Sequence, residues 1–301
     1  MENKNFVKEY VDEILKHIDL EAIRGMNFSV AVDMINASAC VVDPYLFEKL
    51  NIKYVGLNNV PNGKFGHTPE PIKENLKDIS NLVKSGTFDI GFAQDPDADR
   101  LVVIDESGNI LSEEYTLALG VEAVCSQNKN SAVVVNMSTS QMNTDITEKY
   151  GGKCIRTKVG EANVVEGMVI HNATIGGEGG GGIIYPKMNF ARDSFVSMLL
   201  ILDLMATRNK KISEIIETLP HYIMRKDKME LGMDLALLYE KIKSHFPDAQ
   251  INELDGLRLD FADKSWVHLR PSNTEPIVRL YGEATSQQKV DELFNEVKDL
   301  F

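Results

Sequence analysis

The sequence predicts an α/β protein with two similar α/β domains, whose sheets are mixed and mostly parallel, and a smaller C-terminal α+β domain. Apolar strand-like segments alternate with helical segments through residues 1–220, which is typical of parallel sheets. The alternation occurs twice, and each series ends in a loop of unusual composition, one rich in aspartate and one rich in glycine. Beyond residue 220, strand-like segments become more frequent. The predicted domains are therefore 1–106, 107–220 and 221–301.

The first domain is predicted to open with an amphipathic helix, because apolar residues recur at helical spacing from Phe6 to Ile18. A turn-rich loop of Pro, Gly and Asn occupies residues 58–71. The other predicted elements are strand 28–33, helix 44–50, strand 54–57, helix 72–84, strand 88–93 and strand 101–104.

The second domain repeats this order, and the third departs from it. The second is predicted to contain helix 113–125, strand 132–136, helix 141–150, strand 153–157, helix 163–171 and strand 173–175. The regular alternation of strand-like and helical segments ends around residues 219–226. The third is predicted to contain helix 233–246, strands 254–261, 266–270 and 277–281, and a terminal amphipathic helix over 290–300.

Composition limits the partners of the chain. Its 301 residues are 43% hydrophobic and carry a net charge of −13, so an acidic surface disfavours nucleic acid or an anionic membrane. The N-terminus lacks an apolar signal core, and the longest apolar helix candidate, 195–205, contains Asp203 and is too short to span a bilayer. Three widely spaced cysteines favour a reducing compartment. These features predict a cytoplasmic protein.

The most informative segment is the aspartate loop, residues 95–100. Asp95, Asp97 and Asp99 alternate along it, and Arg100 closes it. Three close carboxylates repel one another unless a cation neutralises them, and hard oxygen ligands suit Mg²⁺ or Ca²⁺. Three alternatives stay open: an EF-hand ending at Glu106, an aspartyl-phosphate hydrolase with Asp95 as nucleophile, and a solvated acidic turn.

Two further loops carry candidate binding groups. In the glycine loop, residues 176–182, Glu178 is the only side chain able to accept hydrogen bonds from sugar hydroxyls. The glycines also fit a dinucleotide motif, but Ile183 and its neighbours make a poor helix start. A third loop runs from Arg270 to Arg279 between two predicted strands, and its polar turn suits an anion.

These three loops, in this order, resemble those of the α-D-phosphohexomutase superfamily, which includes phosphoglucomutase, phosphomannomutase and phosphoglucosamine mutase. The resemblance covers nearly the whole chain and extends to segments 62–71 and 157–162. It implies an isomerase that moves phosphate between the 1- and 6-positions of a hexose phosphate through a bisphosphate intermediate.

The resemblance also assigns expected roles to individual residues. Arg100 would act in catalysis by contacting the phosphate of a phosphoserine, and Glu178 would bind sugar hydroxyls. The remaining expected roles are Mg²⁺ binding by Asp95, Asp97 and Asp99, and binding of the non-reacting phosphate by Arg270, Ser272, Asn273, Thr274 and Arg279.

The sequence departs from the family pattern in two ways. No Thr-Ala-Ser-His-Asn-Pro-like phosphoserine segment occurs, so the chain is expected to match family domains two to four and to lack turnover alone. Ser138 and Ser140 are weak substitutes for that serine. Gly180 and Gly182 replace a Ser and a His of many sugar loops, which leaves a glucosamine-, mannose- or glucose-phosphate substrate open. A metal-dependent sugar-phosphate phosphatase, a non-catalytic sugar-phosphate binding module, and a partner of a separate first domain remain alternatives.

Overall fold

The computed structural model describes residues 4–230, 232–272 and 277–301. The first unit has a four-stranded sheet in the order β2-β1-β3-β4, with β4 antiparallel to β3 and the other pairs parallel. Its elements are α1 (Lys4–Ile14), α2 (Leu20–Met26), β1 (Ser29–Asp33), α3 (Ala39–Leu50), β2 (Lys53–Leu57), α4 (Lys77–Ser85), β3 (Ile90–Gln94) and β4 (Leu101–Ile104).

The second unit repeats this topology, with a sheet in the order β6-β5-β7-β8 whose last strand is again antiparallel. The elements of the second unit are α5 (Glu114–Gln127), β5 (Ala132–Asn136), α6 (Met142–Lys149), β6 (Lys153–Thr157), α7 (Glu161–Ile170), β7 (Ile175–Glu178), β8 (Gly182–Ile184), α8 (Ser194–Arg208) and α9 (Ile212–Ile216).

The third unit is an antiparallel sheet in the order β10-β11-β12-β13-β9, with helices packed against it. Its elements are β9 (Ile223–Glu230), α10 (Leu235–His245), β10 (Gln250–Asn252), β11 (Leu257–Asp260), β12 (Trp266–Pro271), β13 (Ile277–Ala284) and α11 (Gln287–Lys298). The predicted fold class, two mixed α/β units and an α+β unit, is confirmed. The predicted domain boundaries stay predictions.

The first two units share a continuous apolar core, whereas the third has its own. Val11, Phe28, Leu117 and Leu199 belong to one buried cluster that runs from α1 to α8. A second cluster fills the space between α10, α11 and the third sheet. The third unit joins the second through hydrogen bonds, such as the Val159 amide with Asp255 Oδ2 at 2.9 Å.

Two predicted elements differ from the structure in their extent. The opening helix ends at Ile14 and gives way to a 3-10 turn; α2 then begins after Asp19, whose side chain accepts from the Ala22 amide. The predicted strand 254–261 is shorter and is preceded by β10. Among the described residues, no helix is long and apolar enough to cross a bilayer.

Candidate active site

The aspartate loop connects β3 to β4. β3 is buried along its length and delivers Asp95 at its carboxyl end, where α/β sheets bind ligands. Asp95, Asp97 and Asp99 offer carboxylate oxygens that lie within 4.8 Å of one another. Strands flank this loop, so the EF-hand alternative is wrong. Glu106, which that alternative needed as a ligand, accepts a hydrogen bond from the Ser213 hydroxyl instead.

Hydrogen bonds fix the shape of the aspartate loop. Asp95 Oδ1 accepts from the amides of Asp99 at 3.1 Å and Arg100 at 3.0 Å, while its Oδ2 accepts from Arg100 Nε at 2.6 Å. Asp95 is also only 1% exposed. A nucleophile needs a free oxygen with an open approach, so this arrangement disfavours the phosphatase alternative.

The clustered carboxylates of the aspartate loop favour binding of a cation. Asp99 Oδ1 is buried and has no hydrogen-bond partner among the described residues. Burial, followed by the negative charge of Asp95, raises the pKa of Asp99 to about 7. A divalent ion would favour the ionised form of all three carboxylates, and carboxylate oxygens are the ligands that Mg²⁺ prefers. The residues present therefore fit Mg²⁺.

The glycine loop forms a tight turn between β7 and β8. A strand follows the glycines where a dinucleotide fold needs a helix, so the dinucleotide alternative is wrong. Glu178 lies at the end of β7, and its Oε1 accepts from Asn136 Nδ2 at 2.8 Å and from the Gly160 amide at 2.9 Å. These contacts orient the Glu178 carboxylate before any ligand arrives.

The glycine loop touches the aspartate loop directly. The Leu101 amide donates to the Gly181 carbonyl oxygen at 2.9 Å. Gly181 has φ +91°, and a Cβ there would lie 2.5 Å from the Leu101 carbonyl oxygen. Only glycine permits both the backbone conformation and the close approach. The predicted metal and sugar loops are thus adjacent.

The third loop presents a row of positive charges. Arg270 on β12 lies directly opposite Arg279 on β13, and Arg279 lies opposite Lys228 on β9. Like charges in directly opposite positions destabilise a sheet, so the row favours a bound anion. Arg279 Nε is buried without a hydrogen-bond partner among the described residues. The Ser272 amide donates to the Ile277 carbonyl oxygen at 2.9 Å. Asn273 and Thr274 lie outside the described residues.

One cleft of about 200 Å³ collects side chains from all three loops. The acidic side chains among its described lining residues are Glu114 and Glu178. The basic ones are Arg100, Arg192, Lys226, Arg270 and Arg279. In a chain with a net charge of −13, this local excess of cations suits a phosphorylated ligand.

Sequence reasoning missed two buried polar pairs in the cleft. Burial raises the pKa of Glu114 to about 8, although Lys226 Nζ lies 3.4 Å from its Oε1. His268 Nε2 lies 2.5 Å from the Asp255 carbonyl oxygen, so that nitrogen carries the proton, and Ser138 donates to Nδ1 at 2.9 Å. Burial lowers the pKa of His268 to about 4.

Two serines that sequence reasoning considered as phosphate acceptors have different surroundings. Ser138 lines the cleft, whereas Ser140 is completely buried and its Oγ accepts from the Met142 amide. Ser140 therefore cannot reach a ligand in this arrangement. Arg192, which follows the glycine loop, was also missed, because a lone arginine outside a motif carries no sequence signal.

Comparisons with protein families agree with this architecture. Residues 8–108 match the model for phosphoglucomutase/phosphomannomutase α/β/α domain II, residues 112–222 match domain III, and residues 225–300 match the C-terminal domain, domain IV.

Curated relatives match over almost the whole chain. A phosphoglucomutase/phosphomannomutase of Thermococcus kodakarensis is 37% identical over 97% of this chain and 64% of its own length. A phosphoglucosamine mutase of Methanocaldococcus jannaschii is 32% identical over 98% of this chain and 67% of its own length. The chain thus spans about two thirds of the length of the curated relatives it matches.

Solved structures share the fold. A phosphoglucomutase/phosphomannomutase family protein of Burkholderia thailandensis is 26% identical, with a TM-score of 0.86 over 98% of this chain and 63% of that one. An N-acetylphosphoglucosamine mutase of Aspergillus fumigatus, solved in complex with GlcNAc-6P and magnesium, is 15% identical, with a TM-score of 0.67 over 97% of this chain and 63% of that one. The second likeness shows the fold alone.

The chain belongs to the phosphohexomutase family of phosphoglucomutases, phosphomannomutases and phosphoglucosamine mutases. The curated relatives that it matches are mutases by name.

Proposed function

We propose that these 301 residues form the metal-, sugar- and phosphate-binding part of a phosphohexomutase. The enzyme would move a phosphoryl group between the 1- and 6-positions of a hexose through a bisphosphate. One observation carries this proposal: Arg100, Glu178, Arg270 and Arg279, from three separate loops, line one cleft. Phosphoryl transfer depends mainly on positioning and charge neutralisation, which such a cleft supplies.

The reacting phosphate is assigned to the aspartate loop. Asp95, Asp97 and Asp99 would hold Mg²⁺, which when bound would neutralise charge on the reacting phosphoryl group. Arg100 is held by Asp95 at one edge of its guanidinium, through Nε at 2.6 Å. It also lines the cleft, so its remaining donors are available to a phosphate there.

The opposite end of the substrate is assigned to the glycine loop and the third sheet. Glu178 would accept hydrogen bonds from hydroxyl groups, since Asn136 and Gly160 hold its carboxylate in place. Arg270 and Arg279 would bind the non-reacting phosphate, with Lys228 adjoining the row, and Ser272, Asn273 and Thr274 would complete this site. Binding at a distance orients the reacting hydroxyl and thereby lowers the barrier.

The substrate and its location are further parts of the proposal. The names of the relatives favour glucosamine-, mannose- or glucose-phosphate, and the Aspergillus fumigatus mutase was solved with GlcNAc-6P and magnesium. No segment resembling the family's phosphoserine loop occurs in the 301 residues. We therefore expect binding without turnover until a first domain that carries this serine is supplied. Three unpaired cysteines favour a cytoplasmic location.

Calorimetry with Mg²⁺ tests this function. Glucosamine, mannose and glucose 6-phosphates should bind, and the same sugars without phosphate should not. Arg270→Ala should weaken binding by about tenfold or more, because a hydrogen bond to a charged group contributes about 1.5–3 kcal/mol. Arg225→Ala is the matched control, because Arg225 lies in the same unit but pairs with Asp291 at 2.7 Å.

Two outcomes of the calorimetry, and one outcome of a turnover assay with an added first domain, would count against the mutase. Equal binding of phosphate-free sugars, or an unchanged affinity in Arg270→Ala, would contradict the phosphate site. Tight binding with no turnover after a first domain is added would favour the sugar-phosphate sensor instead.

A further inference from the structure

Arg192 connects the two loops to which the proposed function gives separate tasks. Its Nη2 lies 2.5 Å from Asp99 Oδ2 in the aspartate loop, and its Nη1 lies 3.5 Å from Glu178 Oε2 in the glycine loop. Its Nε lies 3.3 Å from Glu161 Oε2. A single guanidinium therefore contacts a predicted metal ligand, a predicted sugar ligand and a third carboxylate.

Gly182 provides the space for this side chain. A Cβ at position 182 would lie 2.3 Å from Arg192 Cδ and 2.8 Å from its Cγ. Gly182 does not have a left-handed φ, so the space it leaves, rather than its backbone conformation, explains the glycine. Any other residue at this position would push the Arg192 side chain away from Asp99.

Arg192 and a divalent ion need the same carboxylate. Asp99 uses Oδ2 for Arg192 at 2.5 Å, while its buried Oδ1 lies 3.7 Å from Arg100 Nε, so both oxygens already face a guanidinium. A divalent ion that takes Asp99 brings two positive charges close to the guanidinium, and like charges at such distances repel strongly in a partly buried site. The ion pair between Arg192 and Asp99 therefore weakens metal binding, and a bound metal weakens the ion pair.

A released Arg192 would still face the ligand. Its side chain is 23% exposed, lines the cleft and keeps two further carboxylates, Glu161 and Glu178, as neighbours. A guanidinium presents several donors in a planar fork that matches phosphate oxygens. Loss of the Asp99 partner would thus increase the positive charge available to an anionic sugar ester.

We propose that Arg192 is a positioning residue that occupies Asp99 in place of the divalent ion and turns to the phosphorylated ligand when the ion binds. The part that concerns the ligand rests on the proposed function. The arrangement links the two binding events, because each ligand favours the state in which Arg192 has left Asp99. By thermodynamic linkage, Mg²⁺ and sugar phosphate should strengthen each other's binding by the same factor.

Calorimetry of Arg192→Ala tests the proposal through two changes of opposite sign. Mg²⁺ alone should bind about fivefold more tightly, because a competing cation is gone. Glucose 1,6-bisphosphate with saturating Mg²⁺ should bind about tenfold more weakly, because a charged donor is gone. Arg192→Lys should return both affinities toward those of the parent, and Lys210→Ala, which removes an exposed charge, should change neither.

A purely structural role for Arg192 would weaken both affinities, and that result would overturn the proposal. So would an unchanged or weaker Mg²⁺ affinity in Arg192→Ala. The Mg²⁺ titration contains no sugar. If the parent chain fails to bind the bisphosphate, the proposed function fails, and the Mg²⁺ result still decides whether Arg192 competes for Asp99.

A double-mutant cycle with Gly182 provides a second test. Gly182→Ala alone should tighten Mg²⁺ binding, because the added Cβ displaces Arg192. In the Arg192→Ala background the same change should have little further effect, since the clashing Cγ and Cδ atoms are gone and only the Cβ contact at 3.2 Å is left. Thermal unfolding would verify that each variant is folded. Additive effects of the two substitutions would contradict the proposal.

Discussion

Arg279→Met should stabilise the ligand-free protein and weaken its binding of sugar phosphate. In the free protein Arg279 lies between Arg270 and Lys228, and its buried Nε has no hydrogen-bond partner among the described residues. Methionine keeps most of the aliphatic length while removing the charge. The free site therefore contains repelling like charges and an unpaired donor, and a bound phosphate would stabilise both.

The magnitude follows from the contacts. Relief of the like-charge pairs is worth about 0.5 kcal/mol, and removal of an unsatisfied buried donor about 1 kcal/mol more. If the third unit, which has its own core, unfolds separately, its unfolding midpoint should rise by about 6–12 °C. Loss of a charged contact should weaken glucose 6-phosphate binding by at least about tenfold.

Differential scanning calorimetry and isothermal titration calorimetry measure the two effects. Arg225→Met is the matched control: it should lower the midpoint slightly, because it breaks the pair with Asp291, and should leave binding unchanged. An Arg279→Met protein with a lower midpoint would show that the cation row is not strained, and one with the parent's affinity for glucose 6-phosphate would place the phosphate elsewhere.

Three further predictions concern single residues. The pKa of about 4 for buried His268 means that unfolding takes up a proton between about pH 6.5 and 4, so stability should fall as the pH falls through this window. Chemical denaturation at pH 7 and pH 5 should show a smaller loss in His268→Gln, and an equal loss would contradict this. Glu178→Gln should weaken the affinity for glucose 6-phosphate about tenfold and leave the affinity for inorganic phosphate unchanged. Parallel titrations measure both affinities, and an equal loss for the two ligands would show that Glu178 does not bind the sugar. Asp97→Asn, at an exposed position, should weaken Mg²⁺ binding at least about tenfold without changing the unfolding midpoint, and retained Mg²⁺ affinity would remove Asp97 from the ligand set.

The duplicated α/β architecture was predictable because both α/β units place an apolar strand before the candidate binding loop. The order of segments also limited the topology, since parallel strands need crossover helices. The sheet orders β2-β1-β3-β4 and β6-β5-β7-β8 show the same duplication in the structure. By contrast, β9 carries the charged run Arg225–Lys228 and has no apolar stretch, so only its pairing with β13 identifies it as a strand.

Candidate site residues were predictable where the chemistry is concentrated in consecutive positions. Three alternating carboxylates identify the aspartate loop as a candidate metal site, and the isolation of Glu178 identifies the glycine loop as a candidate sugar site. Arg192, Lys228 and His268 are single residues whose neighbours come from other parts of the chain. Their importance depends on strand register and on packing between units, neither of which a local pattern encodes.

The proposed function requires that the three loops build one site. Crystals soaked with Mn²⁺ and glucose 1,6-bisphosphate would test it most directly, because manganese can replace Mg²⁺ at oxygen ligands and its anomalous scattering locates the ion. We expect an ion on Asp95, Asp97 and Asp99, a phosphate on Arg270 and Arg279, and sugar hydroxyls at Glu178. An ion bound elsewhere, or a sugar phosphate outside this cleft, would contradict this expectation.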